Sequence, residues 1–330
     1  MKPKIYITRK LPDEIVAMLE EYCRVTMWQE EGQPVPYEIL EREIESVDAL
    51  FCLLTDRIDA KLIDKAKILK VISTMAVGYN HIDIQAATDQ KIIVTNTPGV
   101  LTETTADLTF ALLMAASRRL VEASDFLRKG QWKTWSPMQL SGQDIFGATL
   151  GIIGFGNIGQ AVARRANGFN MNVIYYNRSR KEEAEKELGA TYKDLETLLT
   201  ESDFVCLLTP FTKETKHLID RNEIALMKKT AILINTSRGE VVNEEALFDA
   251  LKNEQIWAAG LDVFQQEPVP LQHPLLTLPN VVTLPHIGSA SVKTRLAMAR
   301  LAAQQLIEGL QGAMPENTVN PMAYKKESDH

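Results

Sequence analysis

Short apolar runs alternate with longer stretches of helical periodicity along nearly the whole chain. Residues 4–8 (KIYIT), 48–54 (DALFCLL), 70–74 (KVIST) and 92–95 (IIVT) are apolar and bounded by polar segments. Such runs read as parallel strands buried on both faces. The polar-faced helical stretches between them, the first started by Pro12, read as crossovers of an α/β fold. The pattern then changes. Residues 103–129 form one long helical segment after Pro98-Gly99, followed by a loop rich in Trp, Pro and Gly (GQWKTWSPMQLSG). A second series begins at residues 148–153 (ATLGII) and continues through 172–176, 204–208, 231–235, 257–261 and 281–284. The last long helix, 290–309, carries Leu, Ala, Met and Ile at helical spacing and is expected to return to the first domain. This predicts two doubly wound parallel-sheet α/β domains, one of residues 1–100 plus 289–330, the other of residues 101–288 inserted in it. The polar tail 325–330 is expected to fray.

Composition narrows the function classes. A chain of 330 residues is comfortable for two domains. The net charge of −7 gives no ground for a nucleic-acid or anionic-membrane partner. An acidic protein that binds anions must use local positive charge, so individual arginines matter. No segment approaches the roughly 20 apolar residues of a membrane span, and the first residues hold no long apolar leader, so a cytoplasmic protein is expected. Cys23, Cys52 and Cys206 are far apart and form no CxxC pair, which suggests reduced core thiols. His81, His217, His273 and His330 have no metal-site spacing, and no metal is expected.

Gly154-Phe-Gly156-Asn157-Ile158-Gly159 is a GxGxxG placed between an apolar strand and a helix. In that context the first glycine makes a tight turn, the second admits a pyrophosphate and the third allows close helix–strand packing. The helix N-terminus then faces the phosphates. The inserted domain therefore reads as a Rossmann-type dinucleotide-binding domain, and the other is expected to be a flavodoxin-like substrate domain. An acidic residue usually ends the next strand and holds the ribose hydroxyls. Here Asn177-Arg178-Ser179-Arg180 stands there. A carboxylate would repel a 2′-phosphate and an Arg can bind it, so NADP is the preferred cofactor, with NAD possible.

Three further segments follow buried strands: Asn235-Thr236-Ser-Arg238-Gly, Gly260-Leu-Asp262-Val-Phe-Gln-Gln-Glu267-Pro, and Pro285-His286-Ile-Gly288-Ser289. In an open parallel sheet ligands bind beyond the carboxyl ends of the strands, so Arg238, Asp262, Glu267 and His286 can converge. Reduction of a 2-oxo acid needs a cation to hold the carboxylate and polarise the carbonyl, which suits Arg238. It needs an acid for the developing alkoxide, which suits His286. It is helped by a carboxylate that holds the imidazole, which suits Glu267.

These motifs, together with Met75-Ala-Val77-Gly78-Tyr-Asn-His-Ile-Asp83, resemble the D-isomer-specific 2-hydroxyacid dehydrogenase family over nearly the whole chain. The resemblance is nearest to its glyoxylate/hydroxypyruvate reductases, with 2-ketogluconate reductases beside them. It implies that Arg238 binds substrate, His286 is the acid/base and Glu267 orients it. It implies backbone N–H donors at Val77 and Gly78 for the substrate carboxylate, and a substrate pocket bordered by Leu54 and Ser289. Asp262 would hold the nicotinamide carboxamide, Thr105 would lie near that ring, and Thr209-Pro210 would flank the adenine. The cofactor set would also include Gly154, Gly156, Asn157, Ile158, Gly159, Asn177, Arg178, Ser179, Thr236 and Gly288. Such enzymes are usually homodimers, and the reductase branch places a partner's Trp in the substrate site, here Trp135 rather than Trp132. Asn80-His81 departs from the Asp-Asn of many members, which bears on substrate contacts. Phosphite oxidation on the same scaffold, and a dinucleotide-gated binding protein of corepressor type, remain alternatives; Glu267 argues against a formate-type enzyme, which carries Gln beside its His.

Overall fold

The computed structural model describes residues 2–324; the polar tail 325–330 lies outside them. Two compact units are present, residues 2–101 with 291–324, and residues 102–290. The breaks follow Leu101 and Ala290, not residues 100 and 288. Both lie where a helix starts: one begins at Thr102, and Ser291 caps the other by accepting from Thr294 N at 3.2 Å.

The first unit contains β1 (Lys4–Ile7), α1 (Asp13–Glu20), β2 (Arg24–Met27), α2 (Tyr37–Glu43), β3 (Ala49–Cys52), α3 (Ala60–Ile63), β4 (Val71–Thr74), α4 (Ile84–Asp89) and β5 (Ile93–Thr95). All strands are parallel, in the order β2-β1-β3-β4-β5. That is the flavodoxin-like doubly wound order. Every residue of β3, β4 and β5 is buried, which is why each reads as an unbroken apolar run. The edge strand β2 alternates exposed and half-buried positions and carries no such run, so the apolar pattern misses it. The C-terminal helix Val292–Leu310 packs on β3, β4, β5 and α1, inside this unit.

The second unit contains α5 (Thr102–Ser117), α6 (Leu120–Arg128), β6 (Thr149–Ile153), α7 (Asn157–Asn167), β7 (Asn172–Tyr176), α8 (Glu182–Leu188), β8 (Thr191–Tyr192), α9 (Leu195–Glu201), β9 (Phe204–Leu207), α10 (Arg221–Leu226), β10 (Ile232–Asn235), α11 (Glu244–Lys252), β11 (Ala258–Leu261) and β12 (Val281–Thr283). Its sheet is parallel throughout, in the order β12-β11-β10-β9-β6-β7-β8. Counted from β6, this is the Rossmann order with one added strand, and its switch point lies between β6 and β9. Side chains alternate between two apolar layers: Leu150, Ile152, Cys206 and Ile234 enter one, Ile153, Val205, Leu207 and Leu233 the other.

The single helix expected over residues 103–129 is two. The Ser117 carbonyl accepts the Gln143 N–H at 2.9 Å, and Arg119 takes a left-handed φ of 53°. Arg119 then grips Glu122 through two hydrogen bonds of 2.8 and 2.7 Å and starts α6 in a new direction. Helical periodicity does not register such a break, because the apolar spacing resumes beyond it.

All three cysteines are free and buried. Burial pushes the Cys206 thiol up to about 12 and raises Cys23 and Cys52 as well, so none is a ready nucleophile. Among the described residues no helix is long and apolar enough to cross a membrane.

Candidate active site

The glycine-rich turn leaves β6 at the sheet's switch point. Gly154 has φ +99°, and a Cβ there would stand 2.6 Å from Leu208 C and Thr209 N. Only glycine lets this turn lie against the end of β9. That contact puts Thr209-Pro210 beside the turn. A Cβ on Gly156, by contrast, would meet nothing within 4 Å. Gly156 caps α7, whose first N–H groups have no partner within their own helix. An open, side-chain-free cap with unspent donors fits a dinucleotide pyrophosphate. Asn157, Ile158 and Gly159 form the first turn behind it.

Asn177 follows β7. Its Oδ1 accepts from Phe155 N at 3.3 Å and its Nδ2 donates to Ser179 O at 2.8 Å. The amide thus fixes the glycine turn and its own loop together, without the negative charge an acid would bring. Arg178 is exposed. Arg180 is held by Glu185 through two hydrogen bonds of 2.8 Å, and Tyr175 Oη donates to the same carboxylate at 2.6 Å. Arg180 and Tyr175 hold the Glu185 carboxyl down to about 2. Of the two arginines, Arg180 is thus committed to a carboxylate, which leaves Arg178 as the better candidate for a phosphate.

The remaining candidates sit beyond three adjacent strands, β10, β11 and β12. Asn235 shapes the first turn: its Nδ2 donates to Arg238 O at 2.9 Å, and its Oδ1 accepts from Ser237 N and Oγ at 3.0 and 2.8 Å. The part-buried Arg238 donates from Nη1 to Ser237 O at 2.7 Å. Burial pushes its guanidinium down, and Glu267 and Glu240 oppose that. A Cβ on Gly239 would collide with the Phe264 and Gln265 backbone, so the Arg238 turn backs directly onto the Glu267 loop.

Glu267 accepts from Phe264 N at 2.9 Å through Oε1 and pairs with His286 Nδ1 at 2.6 Å through Oε2. A carboxylate can only accept, so Nδ1 carries the hydrogen and Nε2 is the nitrogen left for chemistry. Burial pushes the Glu267 carboxyl up. The His286 hydrogen bond and charge, the Phe264 N–H and Arg238 outweigh it, and the net lies below the ordinary value.

His286 has φ 54°, a left-handed conformation that costs a non-glycine residue about 1–2 kcal/mol. Asp262 holds it there. Its backbone carbonyl accepts the His286 N–H, its Oδ1 the Ile287 N–H and its Oδ2 the Gly288 N–H, each at 2.8 Å. Asp262 is 1 % exposed, and burial raises its carboxyl against those two amides and the His286 charge. The contacts of Asp262 are thus with the histidine turn. Behind them, Thr109 Oγ1 donates to Thr105 O at 2.8 Å and lies 2.7 Å from Thr236 Oγ1, which joins Thr105 to Thr236. Asn235 and Thr109 were not among the expected site residues. Asn235 lay visible in its motif, whereas nothing in the pattern of α5 singled out Thr109.

In the first unit, Leu54, Val77 and Gly78 lie on the loops after β3 and β4 and are half-buried. Asn96 Nδ2 donates to Val77 O at 2.8 Å and fixes that turn. Ser289 follows Gly288, one residue before the end of the second unit. Trp135 is 75 % exposed and Trp132 56 %, in the segment after α6. No cluster of three His, Cys, Asp or Glu able to hold a metal occurs among the described residues.

The family model of the D-isomer specific 2-hydroxyacid dehydrogenase NAD binding domain matches residues 110–288. The glyoxylate reductase of Korarchaeum cryptofilum is 52 % identical over 326 residues, 98 % of either chain. A structure from Thermus thermophilus superposes with a TM-score of 0.89 at 46 % identity, covering 96 % of this chain and 99 % of that one. The NADPH-dependent glyoxylate/hydroxypyruvate reductase of Sinorhizobium meliloti, in complex with NADP and malonate, superposes with a TM-score of 0.86 at 30 % identity over 100 % of both chains.

Proposed function

The chain belongs to the D-isomer-specific 2-hydroxyacid dehydrogenase family and is an NAD(P)-dependent oxidoreductase, and from that premise we propose that it reduces glyoxylate, or a 2-oxo acid of similar size, with NADPH preferred over NADH. The observation that carries this reading is the Glu267–His286 pair at 2.6 Å backed by the Arg238 turn. When bound, the dihydronicotinamide supplies the hydride that reaches the carbonyl carbon. Arg238 draws the carbonyl electrons toward its guanidinium and binds the carboxylate. His286 gives its Nε2 proton to the oxygen as the alkoxide forms, and Glu267 stabilises the imidazolium before that transfer. In oxidation the neutral imidazole takes the same proton back. Leu54, Val77, Gly78, Ser289 and Trp135 carry over as proposed substrate contacts, with the Val77 and Gly78 N–H groups on the carboxylate. Gly154, Gly156, Asn157, Ile158 and Gly159 are the proposed pyrophosphate cradle, with Thr105, Thr209, Pro210, Thr236, Asp262 and Gly288 around it.

Turnover tested against glyoxylate, hydroxypyruvate, 2-ketogluconate and phosphite decides the substrate class. Reduction of the small 2-oxo acids is expected; oxidation of phosphite alone would move the chain to another reaction. The NADP preference rests on Asn177, Arg178 and Ser179. Arg178→Ala is expected to lower kcat/KM for NADPH by about tenfold, the value of one charge-assisted phosphate contact, and to leave NADH unchanged. Equal losses with both cofactors would remove the phosphate role.

The same reading includes a homodimer. Leu120, Val121, Leu127, Trp132, Trp135 and Phe146 are all at least half exposed within one stretch of chain, and apolar surface of that kind marks an interface. Light scattering is expected to give twice the chain mass, with Leu127→Arg shifting it to the monomer. A wild-type monomer would contradict the assembly. The three free cysteines support a reducing, cytoplasmic compartment.

A further inference from the structure

A second histidine–carboxylate pair stands behind the first. Glu244 is the first residue of α11. Its Oε1 accepts the Gln265 backbone N–H at 2.8 Å, and its Oε2 lies 3.2 Å from His273 Nε2. Both side chains are largely buried, 14 % and 19 % exposed. Because a carboxylate only accepts, His273 carries its hydrogen on Nε2. Its Nδ1 is buried without a partner among the described residues, and its ring meets the Phe264 ring edge-on at 5.8 Å between centroids. The Gln265 side chain is tied down as well, with Nε2 donating to Val242 O at 2.7 Å.

The consequence lies in which amides are taken. Phe264 N–H goes to Glu267, the carboxylate that holds His286, and the next amide, Gln265 N–H, goes to Glu244. Two carboxylates therefore grip consecutive amides of one turn, one from within the loop and one from α11. Loosen the second and the turn that aims the first can rotate. A buried polar contact of this kind is costly to leave half-made, and the His273 ring adds packing that holds Phe264 in place.

We propose that Glu244 and His273 are positioning residues for the reaction, locking the Phe264–Gln265 turn so that Glu267 meets His286 Nδ1. The proposal rests on the assigned roles of Glu267 and His286. It gives a role to a histidine that touches neither the dinucleotide motif nor the Glu267–His286 pair.

The test combines a spectroscopic and a kinetic readout on the full-length protein. The His286 Nδ1 proton, in a 2.6 Å hydrogen bond, should give a far-downfield proton NMR signal, assigned by its loss in His286→Gln. In Glu244→Ala that signal is expected to weaken or move upfield. The substrate kcat is expected to fall roughly tenfold with KM for substrate and NADPH unchanged, the effect of a misaimed catalytic group rather than of lost binding. Glu244→Gln, which keeps an oxygen for Gln265 N–H, should restore the signal and most of kcat. If Glu244→Ala does not fold, His273→Asn takes its place with a fall of about threefold and the same spectral change. An unchanged signal in a folded Glu244→Ala or His273→Asn protein overturns the proposal, whatever its rate. Absence of turnover in the wild type would overturn the proposed reaction, while the signal would still decide the positioning role.

Discussion

Arg238→Ala is expected to lower kcat/KM for glyoxylate by about 1000-fold, the cost of removing a preorganised donor to a developing oxyanion. The loss should appear in KM as well as kcat, because the same guanidinium binds the carboxylate. Arg238→Lys should recover little, since a point charge cannot supply the planar fork. NADPH affinity, followed by fluorescence titration, should not change. Arg238 leaves β10, whereas the proposed pyrophosphate cradle hangs on β6 and α7. The fold should also survive, because Asn235 holds the Arg238 turn through hydrogen bonds of its own side-chain amide. Steady-state rates with both cofactors check this, and a loss below tenfold would take Arg238 out of the chemistry.

His286→Ala should cost kcat between about 100- and 10,000-fold, the range of a positioned acid/base. Glu267→Gln is the more informative partner variant. It retains an acceptor for Phe264 N–H, yet it withdraws the charge that stabilises the imidazolium during reduction. Reduction should therefore suffer more than oxidation, which starts from neutral imidazole. The wild-type pair should persist well to the acid side. The Glu267 carboxyl lies lower in the folded chain than its ordinary unfolded value of about 4.3. Its stabilising contribution is complete above that unfolded value and is lost only as pH falls through the folded one. Melting curves of wild type and Glu267→Gln should converge as pH drops through that window. Curves that stay parallel would mean that the pair carries no net stability.

Much of this was legible in the chain because buried parallel strands leave unmistakable apolar runs, and their carboxyl ends tell where ligands sit. The runs at β3, β4, β6, β9 and β10 each name a strand, and in each unit proposed contact residues follow directly beyond them. What did not show has physical reasons. β2 is an edge strand with exposed alternate positions. The break at Arg119 turns on a carbonyl captured by Gln143, a contact distant from the helical pattern itself. Asp262, a proposed cofactor contact, also binds three successive amides of the His286 turn through its side chain and carbonyl. Backbone partners of that kind leave no mark on composition. His273 and Glu244 were passed over for the same reason: their link to the site runs through a main-chain N–H.

Consumption of NADPH by the purified full-length chain in the presence of glyoxylate, followed by absorbance beside the Arg238→Ala variant, tests the central claim most directly. The expected result is steady turnover by the wild type, reduced about 1000-fold in the variant. NADPH left unconsumed with glyoxylate and with hydroxypyruvate alike, by a folded protein that binds the cofactor, would contradict it.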